Sequence, residues 1–339
     1  MKQIDYSGFP NCETEYVKIW QNSSLQKKWD VLYNAITTRR QINIYPQDVN
    51  QILVADFSLL NQLYLDSKNL SPDEKIAAKK IFNYDFKTSD FKPITTRNLS
   101  TIKKSKKYNT EIANFFIKKS IELKISTCYY CEMNYVFPYK AYVYNKNTQK
   151  FEKQQKRMFD LDHFFEKKDS PITALSLYNL IPSCQICNSR IKGKRDIESI
   201  YHLDKENDLS DFKFVSPTSG YYDFDKNVTI KIVENKVSNF NNINNFTITF
   251  ETSDIDCKRI ISAFQLQERY NYDCIKLDSL NLLQLKRKCS QGRLNSIAKY
   301  LTQNGDQTTP KELKNLIFNL NDVYDSSKIF AKLKRDILK

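Results

Sequence analysis

Four of the chain's eight cysteines form two close pairs, Cys128-x-x-Cys131 and Cys184-x-x-Cys187. Each short turn presents two thiolates to one side of an ion, so two turns supply the four sulfurs of a tetrahedral zinc at about 2.3 Å. Fifty-two residues separate Cys131 from Cys184, beyond the roughly 15–20 of a compact zinc ribbon. Further structure must fold between the pairs. A redox pair is the rival reading of one CxxC, but that chemistry sits at a strand-to-helix turn of a parallel sheet, and no such sheet reads here. Cys12, Cys257, Cys274 and Cys289 show no pairing and read as small buried apolar residues.

The segment between the pairs carries a second set of candidates. Phe159 to Phe165 reads as a strand running into a turn at 167–171, and it holds Asp162 directly before His163, one of only two histidines. Asn179 follows sixteen residues later, and Asn188 comes directly after Cys187. A neutral imidazole takes a proton from water near physiological pH, which makes His163 a candidate general base. Asp162 offers a charged hard oxygen and Asn188 a neutral one, a donor set suited to Mg²⁺ or Mn²⁺ holding several waters. Phosphodiester hydrolysis asks for these parts: an activated water and a cation beside the developing charge. Seen singly, Asp162 is a strand-end turn former, Asn188 a helix cap and His163 a packed or surface histidine. The other histidine, His202, reads as structural.

The order Asp162-His163, then Asn179-Leu-x-Pro-x-Cys184-x-x-Cys187-Asn188, then Lys192, resembles the zinc-stapled form of the HNH (ββα-metal) nuclease family. The resemblance covers Cys128 to Arg195. It implies a structural zinc on the four cysteines, His163 as base, Asp162 and Asn188 on the catalytic ion, and Asn179 bracing the loop and orienting the histidine. It also implies hydrolysis to 5′-phosphate and 3′-hydroxyl ends. The family's third position is often histidine, and Asn188 stands there instead, which leaves the preferred ion open. Asp160 is a further candidate ligand on the same strand face as Asp162. The run Phe264-x-Leu266-x-x-Arg269-Tyr270-Asn271 is similar to a helix of HNH proteins associated with bacterial anti-phage defence.

These residues need elements to hold them. If Gln185 to Lys192 is helical, Cys187 and Asn188 point about 100° apart, so thiolate and amide serve different ions. Lys192 then shares a face with Asn188, and with Arg190, Lys194 and Arg195 it forms a basic, phosphate-contacting surface. Upstream, apolar spacing predicts helices over Glu13–Trp29, Gln47–Leu65 and Thr110–Leu123, and Ser71-Pro72-Asp73-Glu74 is a helix start. The basic run 103–107 reads as a solvated linker or a phosphate-contacting arm. Strand-like alternation marks Val228–Val233 and Phe246–Phe250, and helices return over Lys258–Tyr270, Ile275–Leu301, from Thr309-Pro310, and over Ser327–Leu338.

Composition bounds the rest. The chain has 339 residues, 40% of them hydrophobic and 27% charged, as in an ordinary globular protein. Five glycines, no GxGxxG and no Walker loop exclude nucleotide-phosphate chemistry. Fifty-three basic residues against 39 acidic give +14, which favours a polyanionic partner. No signal peptide or membrane span reads, so a cytoplasmic compartment with reduced thiols is expected, with no membrane partner. The expectation is an α+β protein: a helical region over 1–125, a zinc-stapled HNH nuclease domain over 126–205, and short strands then helices over 206–339. It cuts nucleic acid, DNA favoured over RNA, and a separately encoded ATPase is a candidate partner. The alternatives are an RNase of the same chemistry and a non-catalytic zinc module that binds nucleic acid or protein.

Overall fold

Local signals account for where several helices begin. Ser71 and Glu74 exchange bonds at the start of the helix Pro72–Ile81, and Thr309 and Glu312 do so for Pro310–Phe318. Proline in the first turn and an acid at the third position are the chemistry such starts require. Longer periodic runs divide. The run over Glu13–Trp29 is two helices, Cys12–Lys18 and Leu25–Arg40. That over Gln47–Leu65 becomes Val49–Leu53 and Phe57–Ser67, because Asp56 goes extended and accepts from the Leu59 amide at 2.8 Å. Ile275–Leu301 divides into Asp273–Lys288 and Gln291–Gln303. Apolar periodicity persists across such breaks when both pieces face one core, so spacing alone joins them.

The computed structural model describes residues 2–21, 23–40, 44–193, 215–220, 223–234, 242–321 and 325–339. The chain divides into two units: Gln3–Ile125 with Val136–Tyr222, and Met1–Lys2 with Ser126–Tyr135 and Asp223–Lys339. About half the chain is helix and 13% strand, an α+β composition with small antiparallel sheets. Among the described residues no helix is long and apolar enough to cross a membrane.

In the first unit, β1 (Pro138–Asn145) and β2 (Lys150–Arg157) form an antiparallel hairpin. β3 (Asp160–His163) pairs antiparallel with β4 (Leu180–Ser183), placing Asp162 opposite Ile181 and His163 opposite Leu180. Residues 164–179 loop between these strands through two short 3₁₀ turns. A π-helical segment, Ile186–Lys192, follows β4. It ends at Gly193, whose φ of 59° suits glycine and whose N–H reaches the Asn188 carbonyl at 2.8 Å.

The N-terminal helices of this unit grip that loop. Tyr16 donates to the Leu175 carbonyl at 2.8 Å and Ser176 to the Ile52 carbonyl at 2.6 Å. Tyr64 and Phe57 stack on Phe165, with ring centroids 4.3 and 5.7 Å away. The basic run 103–107 is tied down as well: the Ser105 amide donates to the Lys80 carbonyl, and Lys107 pairs with Asp85.

In the second unit, β5 (Thr229–Glu234) and β6 (Phe246–Glu251) pair antiparallel. Ile230, Phe246, Ile248, Tyr270, Leu280 and Leu333 bury together beneath them.

Candidate zinc centre and His163 site

The sulfurs of Cys128, Cys131, Cys184 and Cys187 all lie within 4.8 Å of one another, and all four residues are buried. A tetrahedral zinc with bonds of about 2.3 Å sets its sulfurs about 3.8 Å apart, so the cluster fits that ion. The surrounding donors fit thiolates too. The Met133 amide donates to Cys131 Sγ at 3.4 Å, and the Cys187 amide to Cys184 Sγ at 3.4 Å. Such bonds spread the negative charge that four thiolates bring to one ion. The Cys128 turn closes on itself through a bond from the Glu132 amide to the Cys128 carbonyl, with Glu132 at φ 54°.

The Phe264–Asn271 run has a structural explanation here. Tyr130 stacks flat on Phe264 with centroids 4.1 Å apart, and Tyr270 donates to the Cys131 carbonyl at 2.8 Å. Asn271 completes the support by bonding both the amide and the carbonyl of Ile248 on β6. That run therefore carries the first cysteine turn of its own unit.

His163 is 7% exposed at the end of β3. Its Nε2 lies 3.0 Å from the Ala174 carbonyl, which only accepts, so Nε2 carries the proton and Nδ1 the lone pair. The loop supplying that carbonyl is cross-braced by fully buried Asn179. Its Oδ1 accepts from the Phe165 amide at 2.8 Å, and its Nδ2 donates to the carbonyls of Phe165 and Thr173, each at 3.1 Å. Asn179 thus touches the loop on both sides and reaches His163 only through it. Burial above all, then the positive charges of Lys167 and Lys192, push the imidazole down to about 3 against the opposing bond to Ala174. The ring is neutral at physiological pH.

Tyr84 meets His163 edge-on, centroids 4.5 Å apart, and its hydroxyl lies within electrostatic reach of Arg157 at the end of β2. Nothing in the spacing around Tyr84 marks it in the sequence, because the contact closes between residues far apart in the chain.

The basic residues part company. Lys192, expected at the phosphate-facing surface, is 1% exposed and turned inward. Its ammonium donates to both oxygens of Asp162, at 2.8 and 2.9 Å, and to the His163 carbonyl. The physical reason is that Asp162 is itself buried, and a buried carboxylate must be met by a counter-charge. Arg190 remains exposed. Lys194, Arg195 and His202 lie outside the described residues. Asn188 donates from Nδ2 to Asp160 Oδ2 at 3.0 Å. Lys192 thus takes both oxygens of Asp162, and in this arrangement that carboxylate does not fit a divalent ion, whereas Asn188 is engaged through Nδ2 and not through the oxygen assigned to the ion.

No protein-family model, curated protein or solved structure matches this chain. What stands is a buried four-cysteine cluster able to hold zinc, in an α+β chain.

Proposed function

We propose that the chain is a zinc-stapled endonuclease of HNH type that hydrolyses phosphodiester bonds, with double-stranded DNA as the favoured substrate. The reading rests above all on how His163 is held. Its Nε2 proton is committed to Ala174, so Nδ1 is the nitrogen that carries the lone pair, and a base at Nδ1 needs the bound phosphate or an ion to raise the imidazole from the low value that burial gives it. A general base needs that arrangement: an unprotonated nitrogen, aimed by a bond at the other nitrogen. Nδ1 takes a proton from water as the water oxygen adds to phosphorus. The bond to the 3′ oxygen breaks, that oxygen takes a proton from solvent and Nδ1 returns its own to solvent, leaving 5′-phosphate and 3′-hydroxyl ends. Asn179 is a positioning residue in this scheme. A divalent ion at Asp162 would have to displace the Lys192 ammonium. A place in anti-phage defence beside a separately encoded ATPase belongs to the same proposal and rests on the resemblance of the Phe264–Asn271 run.

Incubating the purified protein with supercoiled plasmid and, in parallel, total RNA tests the reading, in Mg²⁺, in Mn²⁺ and in EDTA. Nicking that falls about 10²–10⁴-fold in His163→Ala, with zinc content and substrate binding retained, is the expected result. Wild-type rates in that variant remove the base from the scheme, and RNA degradation beside intact plasmid selects an RNase. One observation favours a non-catalytic module: Lys192 satisfies both oxygens of Asp162, as a purely structural buried pair does. No cleavage by wild type or by Lys192→Ala at any metal concentration selects that reading.

A further inference from the structure

The β1–β2 hairpin carries an unusual face. Its register is continuous from Pro138↔Arg157 to Asn145↔Lys150, so directly paired residues share a side. One side presents Tyr142, Tyr144 and Phe151, which are 71%, 49% and 69% exposed. Exposed Lys140, Lys153 and Arg157 lie on the same side, and no acidic residue does; Glu152 falls on the other. Tyr144 and Phe151 meet edge-on across the strands with centroids 5.4 Å apart.

Three large rings left in water on one ribbon face are costly unless something covers them. Their spacing with cations narrows the occupant. Tyr142 pairs directly with Lys153, so a ring and an ammonium stand side by side. Residues two apart on a strand repeat about every 6.8 Å, so ring and cation positions follow one another along the hairpin. A polyanion meets the cations, and flat apolar groups meet the rings. Nucleic acid offers both, but a duplex hides its base faces in the stack, whereas an unpaired base leaves a face open to an aromatic ring.

We infer that this face of the β1–β2 hairpin binds a nucleic-acid strand with unpaired bases, its rings stacking on bases and Lys140 and Lys153 taking phosphates. The face belongs to the same unit as His163, and Arg157 at its base reaches Tyr84, the ring that lies against His163. The hairpin thus narrows the substrate of that site from intact duplex to nucleic acid with a single-stranded stretch beside the scissile bond. The link to cleavage rests on the nuclease reading; the binding surface stands without it.

Fluorescence anisotropy separates the two. The full chain carrying His163→Ala, so that no probe is consumed, is titrated with labelled oligo(dT), oligo(U) and a duplex of equal length. Single strands should bind more tightly than duplex, and the dT and U arms decide between DNA and RNA. Tyr142→Ala and Phe151→Ala should each weaken single-strand binding about 5- to 100-fold, the loss expected from one base–aromatic stack, and leave duplex binding unchanged. Lys153→Ala should lower the salt slope of single-strand binding by up to about one unit. Single-strand affinity unmoved by both aromatic substitutions, or a wild-type preference for duplex, overturns the inference. If wild type cleaves nothing while these binding losses appear, the nuclease reading fails and the inference stands.

Discussion

At the scale of single residues, the ion pair of Lys192 with Asp162 governs the site. Both side chains are withdrawn from water, so removing one leaves the other charged and unmatched. Lys192→Ala should cost about 3–5 kcal/mol in urea denaturation, far more than an exposed lysine would. If a divalent ion can take the ammonium's place, Mn²⁺ should raise the melting temperature of Lys192→Ala and leave wild type nearly unmoved. His163 adds a pH signature. Its folded value is about 3 and its ordinary value about 6.5, so between those limits the unfolded chain binds a proton that the folded ring refuses. Stability is therefore flat above about pH 6.5 on this account and falls with acid below it, by up to about 1.4 kcal/mol per pH unit. Urea midpoints at pH 7.5 and 5 should show a smaller acid loss in His163→Gln than in wild type.

At the scale of elements, the loop between β3 and β4 does the positioning. Three bonds from one buried amide side chain tie its two ends together. Asn179→Ala removes three hydrogen bonds from the loop, and about 2–4 kcal/mol of stability should go with them. If His163 works as proposed, kcat should fall more than KM rises, since the substrate surface is untouched. The first cysteine turn has its own brace in Tyr270. Tyr270→Phe keeps the buried ring but drops the bond to the Cys131 carbonyl. Zinc should then pass to a chromogenic chelator faster than from wild type, and equal transfer rates would remove Tyr270 from that role. The helix starts at Ser71 and Thr309 and the strand at Asp162-His163 were legible because their signals are local. The breaks at Asp56 and Ser290 were not, since apolar spacing runs through them while backbone conformation does not.

For the molecule as a whole, charge and zinc combine. Four thiolates bring −4 and a zinc ion +2, leaving +12 of the formal +14, so the loaded protein stays strongly basic. Binding to nucleic acid should weaken steeply with salt, by about 0.9 in log K per log[salt] for each phosphate neutralised. Arg190→Ala, exposed on the π-helical segment, tests one such contact by flattening that slope. Metal analysis should return one zinc per chain. Cys131→Ser and Cys187→Ser should each lower the melting temperature, because ligand loss at a structural site removes folding free energy and not merely rate. An unchanged melt in both, with no zinc found, would sink the metal centre.

Two cysteine pairs, Asp162 directly before His163, the positions of Asn179 and Asn188, and the α+β alternation around them were all legible without the fold. Those are properties of neighbouring residues, and short turns and strands express them directly. Tertiary structure decided which way each group faces. Lys192 reads as a surface cation because lysines are nearly always solvated, yet one buried carboxylate across the β3 strand draws its ammonium inward. The pairing of Tyr84 with His163, and of Ala174 with Nε2, likewise depends on segments brought together only when the helices close on the loop. The exposed face of the hairpin is decided the same way. Alternation along one strand shows two sides, but only the register with its partner shows that all three rings and three cations share one of them.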